Sequence, residues 1–229
     1  MNEPKQNRPI TERRLARMRG TLARRQPGLT VVIENVHDPH NVSAVLRSCD
    51  AVGAASAHLV YTIEEMPLIH SGVAASAQRW IDVHQHDDID ACYQALRGAG
   101  FSIYATELSH DAADFYELDL TRPTALVFGN ETLGVSEDAS RLADGRVTIP
   151  MMGMVESLNI SVACAVSMFE ASRQRRVAGM YDTTGWNEGE LEERLREWLV
   201  RERRDPSAAS SAFEALIPRA RNRYEFREE

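Results

Sequence analysis

Apolar residues along this chain follow two periods, one of strands and one of helices. Leu29 to Val36 is a nearly unbroken apolar run, the pattern of a strand buried on both faces. Ala57 to Tyr61, Trp80 to Val83, Phe101 to Ala105 and Thr124 to Phe128 read as further strands. Between them the spacing turns helical. Asn41 to Val52 places Val42, Val45, Leu46 and Cys49 on one stripe, Ile89 to Leu96 forms a second helix, and Ser136 to Leu142 a short third with Glu137 and Asp138 in its first turn. This alternation predicts an α/β domain with a mostly parallel sheet and helices on both faces. Glu64 to Gln78 is dominated by small residues and reads as a mobile segment.

The stretch from Val147 to Phe169, VTIPMMGMVESLNISVACAVSMF, is the most unusual. Val147, Thr148 and Ile149 form a strand end that Pro150 stops, and a loop hinged at Gly153 follows. Ser157 is the candidate N-cap of the next helix. Leu158, Val162, Ala165, Val166 and Phe169 share one side, while Ile160, Ala163, Cys164 and Ser167 fill the other. A helix that is apolar or small nearly all round is buried on both sides, between a core and something else. Ser157, Asn159 and Ser161 nevertheless bring polar groups to its first turns, where free backbone N–H groups favour a polar or anionic ligand.

Both ends of the chain differ from this pattern. Thr11 to Arg25 reads as a short helix with Leu15, Met18 and Leu22 on one side and arginines elsewhere, ended by Pro27-Gly28. Asn187 to Arg204 is a charged helix with only Leu191, Leu195, Trp198 and Leu199 as apolar anchors, followed by a turn at Ser207 to Ser211 and a tail from Phe213 to Phe226. Such segments are too poor in apolar residues to fold alone and must dock. Three regions follow: a basic extension over 1–28, the α/β domain over 29–180 and a helical C-terminal extension over 181–229.

Charge sharpens that division. The net charge is −8 over 229 residues, yet residues 1–25 hold eight basic side chains against two acidic ones, and residues 26–172 hold six against twenty. A basic arm therefore sits on an acidic body, and an RNA backbone would feel the arm. Arg14, Arg17, Arg24 and Arg25 are the candidate RNA contacts there, joined by Arg173 and Arg175 after the last core helix. The competing reading of such a run is a solvated helix face.

Composition excludes several classes. No apolar run reaches the length of a membrane span and the polar N-terminus has no signal-like apolar region, so a cytoplasmic protein is expected. Cys49, Cys92 and Cys164 are widely spaced, which suits core packing in a reducing compartment. No metal site is expected either, because no Cys or Glu stands at ligand spacing from the His37/His40 or His84/His86 pairs. A dinucleotide fold is disfavoured, since no GxGxxG follows a strand.

Two further blocks carry candidate chemistry. In His40-Asn41-Val42-Ser43-Ala44-Val45-Leu46-Arg47, Arg47 projects about 140° away from Val42, off the buried stripe. It is either a solvated arginine or a guanidinium fork for phosphate and ribose. Asn41 is the expected N-cap. In Gly129-Asn130-Glu131-Thr132-Leu133-Gly134, two glycines bracket a tight loop after a buried strand, where backbone can approach a ligand.

These two blocks together with IPMxGMVxSLNxSVA resemble, in the same order, the signature of the SPOUT class of knotted methyltransferases, specifically the TrmH (SpoU) family of RNA ribose 2′-O-methyltransferases. The resemblance spans roughly residues 11–180 and departs from the family at Glu156, often Gln, and Thr132, often Lys. It implies a C-terminal trefoil knot, a homodimer formed largely by the helix after Ser157, and S-adenosylmethionine as cofactor. It assigns Arg47, Asn41, Glu131, Ser157 and Asn159 to the active site, and Thr106, Gly129, Ile149, Met152 and Leu158 to the cofactor. A short basic helix before the domain and a helical tail after it are similar to the layout of the family's tRNA enzymes that methylate the D-loop guanosine. Other RNA targets, or RNA binding without catalysis, are the alternatives.

Overall fold

The computed structural model describes residues 11–63 and 79–202. The expectations for 64–78, for the turn at Ser207 to Ser211 and for the tail fall outside them. Seven strands form one sheet: β1 (Leu29–Glu34), β2 (Ser56–Val60), β3 (Asp82–His86), β4 (Ser102–Thr106), β5 (Ala113–Asp114), β6 (Thr124–Phe128) and β7 (Gly145–Thr148). Their order is β3-β2-β1-β6-β4-β7-β5, and all pairings are parallel. Every residue of β1, β2 and β6 is buried, as continuous apolar runs require of inner parallel strands.

Helices α2 (Pro39–Val52) and α5 (Ile160–Val177) cover one face, in a core with Val31, Ile33, Leu59, Leu126 and Phe128. Helices α3 (Ile89–Gly98) and α4 (Glu137–Leu142) cover the other, against Val32, Val60, Ala125 and Val127. Helix α1 (Glu12–Leu22) packs on α6 (Glu188–Glu202) through Met18, Leu22, Leu195 and Trp198, so each extension supplies the apolar face the other lacks. The α6 arginines Arg194 and Arg201 reach Asp82 on the edge strand β3, at 2.5 and 2.6 Å. No helix among the described residues is long and apolar enough to cross a membrane.

Three boundaries shift from those expected. Asp38, not Asn41, caps α2, accepting from the His40 N–H with Pro39 in the first turn. Asn159, not Ser157, caps α5, accepting from the Ser161 N–H. Strand β3 starts at Asp82 rather than Trp80, because its Asp-Val-His-Gln-His sequence has no apolar alternation to mark it. The two-residue β5 had no periodic signal at all.

In α5 the inward stripe is Ile160, Cys164, Ser167, Met168 and Ala171. Val162 and Phe169 remain 47% and 56% exposed. The helix is therefore core on one side and apolar toward solvent on the other.

Candidate active site

The C-terminal ends of adjacent parallel strands are where an open α/β sheet places its ligands. Here β6, β4 and β7 are neighbours, and their ends carry Gly129, Thr106 and Ile149. Thr106 donates its hydroxyl hydrogen to the Val127 carbonyl at 2.7 Å, which ties β4 to β6. A side chain at position 129 would place its Cβ 2.1 Å from Gly134 backbone atoms, so the loop closes only over a glycine. Met152 and Leu158 lie in the irregular segment between β7 and α5, Met152 93% exposed and Leu158 half-buried.

A chain of hydrogen bonds joins this loop to both helices of the adjoining face. Glu131 accepts from the His37 and Asp38 N–H groups at 3.1 and 3.2 Å, and from Asn41 Nδ2 at 3.0 Å. Asn41 Oδ1 in turn accepts from Asn159 Nδ2 at 3.2 Å, and Asn159 Oδ1 caps α5. Because Asp38 takes the capping duty of α2, the Asn41 amide is free to bridge Glu131 and Asn159. Burial pushes the Glu131 carboxyl up, but the bonds from Asn41, His37 and Asp38 outweigh it and hold the group below the usual carboxylate range. At neutral pH Glu131 is an anion held by three donors.

Sequence reasoning did not single out the supports of this loop. Asn130 accepts from the Thr132 and Leu133 N–H groups and donates to the Asn35 carbonyl at 2.8 Å. Asn35 sits at φ 51°, a conformation asparagine tolerates better than most residues. Its Oδ1 accepts from the Thr62 and Ile63 N–H groups. The buried Glu34 accepts from the N–H and hydroxyl of Ser136, anchoring the far end of the loop. The signal available was an Asn and a Glu closing a buried strand, polar groups that a β-run has no reason to carry inside.

The other two proposed active-site residues lie apart from this chain of contacts. Ser157 is exposed in the segment two residues before Asn159. Arg47 is exposed and, among the described residues, has no ion-pair partner. Six residues beyond Asn41 on α2, it stands about 9 Å along the axis and about 120° around it.

The candidate RNA contacts divide sharply. Arg13 and Arg17 are exposed on α1, and Arg24 is exposed in the turn that follows it. Arg14 pairs with Glu202 at 2.7 Å and lies over Trp80, and Arg173 is held by Glu170. Arg25 and Arg175 are each 1% exposed, which removes them as RNA contacts. Arg25 pairs with Asp50, donates to the Ala54 carbonyl and lies over Trp198. Arg175 donates to the carbonyls of Gly28, Leu120 and Arg122, pinning α5 to the starts of two strands. Burial pushes its pKa down to about 10, so it stays charged at neutral pH and its fork is consumed by backbone.

One group of metal-ligand type side chains also converges among the described residues: His58, His86 and Cys92. The sequence pairs His84 and His86 without a cysteine at ligand spacing; the fold brings Cys92 and His58 to them from other elements.

Comparison with known proteins places this geometry. Residues 28–169 match the SpoU rRNA Methylase family. The chain is 48% identical over 192 residues to the tRNA (guanosine(18)-2′-O)-methyltransferase of Thermus thermophilus, covering 84% of this chain and 98% of that one. Its fold is similar to the crystal structure of the Aquifex aeolicus TrmH/SpoU tRNA modifying enzyme, with a TM-score of 0.78 and 38% identity, over 83% of this chain and 97% of that one. It is also similar to the SpoU methyltransferase AviRb of Streptomyces viridochromogenes in complex with AdoMet, with a TM-score of 0.58 and 27% identity, over 68% and 64% of the two chains. The protein belongs to the SpoU methylase family.

Proposed function

We propose that this protein is a cytoplasmic, S-adenosylmethionine-dependent tRNA ribose 2′-O-methyltransferase acting on the D-loop guanosine at position 18. The observation that carries the reading is the likeness to the Thermus enzyme over nearly its whole length. Within that match, Asn41, Glu131 and Asn159 converge at the strand ends.

The residues present fit the cofactor. Thr106, Gly129 and Ile149 stand at three neighbouring strand ends, and Leu133, Met152 and Leu158 offer apolar surface in the loops that follow β6 and β7. When bound, S-adenosylmethionine supplies an electrophilic methyl group. Glu131, ionised and occupied by three donors, holds its loop and the Asn41 amide in place rather than taking a proton. Asn41 and Asn159 fix the start of α5 against that loop, two residues after Ser157. Arg47 orients the ribose and phosphate with its planar fork; being protonated near neutral pH, it polarises the 2′-hydroxyl and does not serve as a base. Positioning of this kind supplies much of the rate in a one-step transfer.

A homodimer and a trefoil knot belong to the same proposal. The apolar outer side of α5, with Val162 and Phe169, suits burial against a second copy. Support for the knot is the course of the chain: β7 lies near one edge of the sheet, and the segment after it must return across the strand ends to reach α5, which lies against α2. Regions 1–28 and 181–229 act as a paired tRNA-binding attachment to the domain over 29–180.

Incubation of the protein with unmodified tRNA and methyl-labelled S-adenosylmethionine, followed by mapping of the methylated nucleotide, tests the reading. Label at the D-loop guanosine is expected, and Arg47→Ala should lose transfer without losing cofactor binding. Label elsewhere in tRNA or in ribosomal RNA would replace the substrate. No transfer at all would leave an RNA-binding protein.

A further inference from the structure

The outer edge of the sheet holds a group of side chains that the site above does not use. Strand pairing sets His58 of β2 opposite His84 of β3, and Val60 opposite His86, so the three histidines share one face. The His58 ring stacks between the other two, with centroids 5.0 and 5.1 Å away. Its Nδ1 lies 2.8 Å from His86 Nε2. Cys92, on the buried side of α3, completes the group. His58, His86 and Cys92 are all buried, and a ligand atom from each lies within 4.8 Å of the others. His58 Nε2, also buried, has no hydrogen-bond partner. Such an orphan is rare in a folded protein, and an ion is one of the few things that explains it.

We propose that His58, His86 and Cys92 form a binding site for a borderline divalent cation of the zinc type. Two imidazoles and one thiolate are the donor set such a cation selects over the hard ions, which prefer oxygen. Burial drives both imidazoles toward the neutral form a metal requires, His86 down to about 4. Charges of both signs surround the group: His84 acts on His58 and His86 as a cation would, Asp87 and Asp88 oppose it at His86, and Glu34 with Asp88 acts on Cys92. Burial first, then those carboxylates, push the Cys92 thiol up, so the free protein holds an S–H bond there. On binding, that bond breaks, a sulfur–metal bond forms and one proton leaves to solvent; the imidazoles give lone pairs only.

In a tetrahedral zinc site the donor atoms stand roughly 3.3–3.6 Å apart, from bonds of about 2.0–2.3 Å. The three donor atoms, within 4.8 Å of one another, must adjust to that spacing by shifts on the order of 1 Å. Water takes the fourth position. The cation would tie β2, β3 and α3 together at the edge where Asp82 holds α6, bracing the terminal helices without entering the active site.

Untagged, chelator-treated full-length protein titrated with Co²⁺ provides the test. One equivalent should bind with a thiolate-to-cobalt absorption band, and Zn²⁺ should displace it. At 100 times its Kd, Zn²⁺ should raise Tm by about 5–10 °C. Cys92→Ser should lose the band, and His58→Gln should weaken Co²⁺ binding at least tenfold. If Cys92→Ser does not fold by circular dichroism, His86→Gln must lose the band in its place. A wild-type protein without the band, or Cys92→Ser binding Co²⁺ as well as wild type through a surface histidine such as His40, overturns the proposal.

Discussion

Replacing Asn41 with aspartate changes one donor nitrogen into an oxygen and almost nothing else in shape. Wild-type Asn41 Nδ2 donates to Glu131 Oε1 at 3.0 Å. In Asn41→Asp two carboxylates face each other at that distance, and their repulsion is about 1.4 kcal/mol at the dielectric of water and about 5.5 at an effective value of 20. Glu131 is largely open to solvent, which selects the lower half of that range. The lost hydrogen bond to a charged group adds about 1.5 kcal/mol. A total of about 3 kcal/mol at pH 7.5 corresponds to roughly 6–12 °C in Tm for a chain of this size. Asn41→Ala loses the bond without the repulsion and should drop about half as far.

The pH dependence separates the two variants. The new pair takes up a proton more readily folded than unfolded, so its folded pKa is raised. The repulsive cost is then fully present at high pH and vanishes as pH falls toward the unfolded value near 4. Thermal melts at pH 4 and pH 7.5 should show the gap between Asn41→Asp and Asn41→Ala nearly closing at pH 4. Equal losses for both variants at both pH values would mean that Asn41 does not bind Glu131, and the network at the strand ends would fall with it.

Arg13→Gln, Arg17→Gln and Arg24→Gln combined should flatten the salt slope of tRNA binding by about 2–3 in log–log units, whereas Arg175→Ala should lower Tm through three unpaired carbonyls and leave the slope unchanged. Reversed results would mean that the buried arginine meets RNA. Val162→Glu, on the exposed side of α5, should give a folded monomer in light scattering that no longer transfers methyl groups; an unchanged dimer would refute that interface. Burial alone would raise the Asp82 carboxyl, but Arg201 and Arg194 more than offset it and hold it low. Its contribution is therefore complete at neutral pH and lost only as pH falls below about 4, so α6 should release there, read by tryptophan fluorescence from Trp80 and Trp198, and Asp82→Asn should release it already near neutrality.

Elements were legible where burial dictated a period. Thr124–Phe128 emerges from its apolar run with both ends in place, and α2 and α3 show a stripe because one side meets a core. Strand β3 was displaced because it lies at the sheet edge and its histidines follow a local chemistry rather than an apolar pattern. The two caps were misassigned for one reason. Asp38 and Asn159 compete with nearby polar residues of equal capping ability, and only the packing of α2 against α5 decides which side chain turns inward.

Of the candidate site residues, those held by backbone geometry are the ones their local sequence marks. Gly129 and Glu131 occupy a loop so tight that its residue types are constrained locally. The arginines were not legible, because an arginine spent on carbonyls and one free for phosphate have the same local context. Arg24 and Arg25 are neighbours, yet one faces solvent and the other closes a contact with Asp50 and Ala54 at the end of α2 and with Trp198 of α6. The charge of the arm is reduced accordingly: Arg14 and Arg19 answer Glu202 and Glu192 on α6, and Arg25 answers Asp50. The arginines of α1 and of the turn after it that face solvent without an ion-pair partner, among the described residues, are Arg13, Arg17 and Arg24. Their spacing of four and seven residues puts them on one side of the helix, opposite Met18 and Leu22. The apolar contact that binds α1 to α6 thereby also orients those three charges outward, and deleting the arm would remove a structural partner of α6 along with the charge.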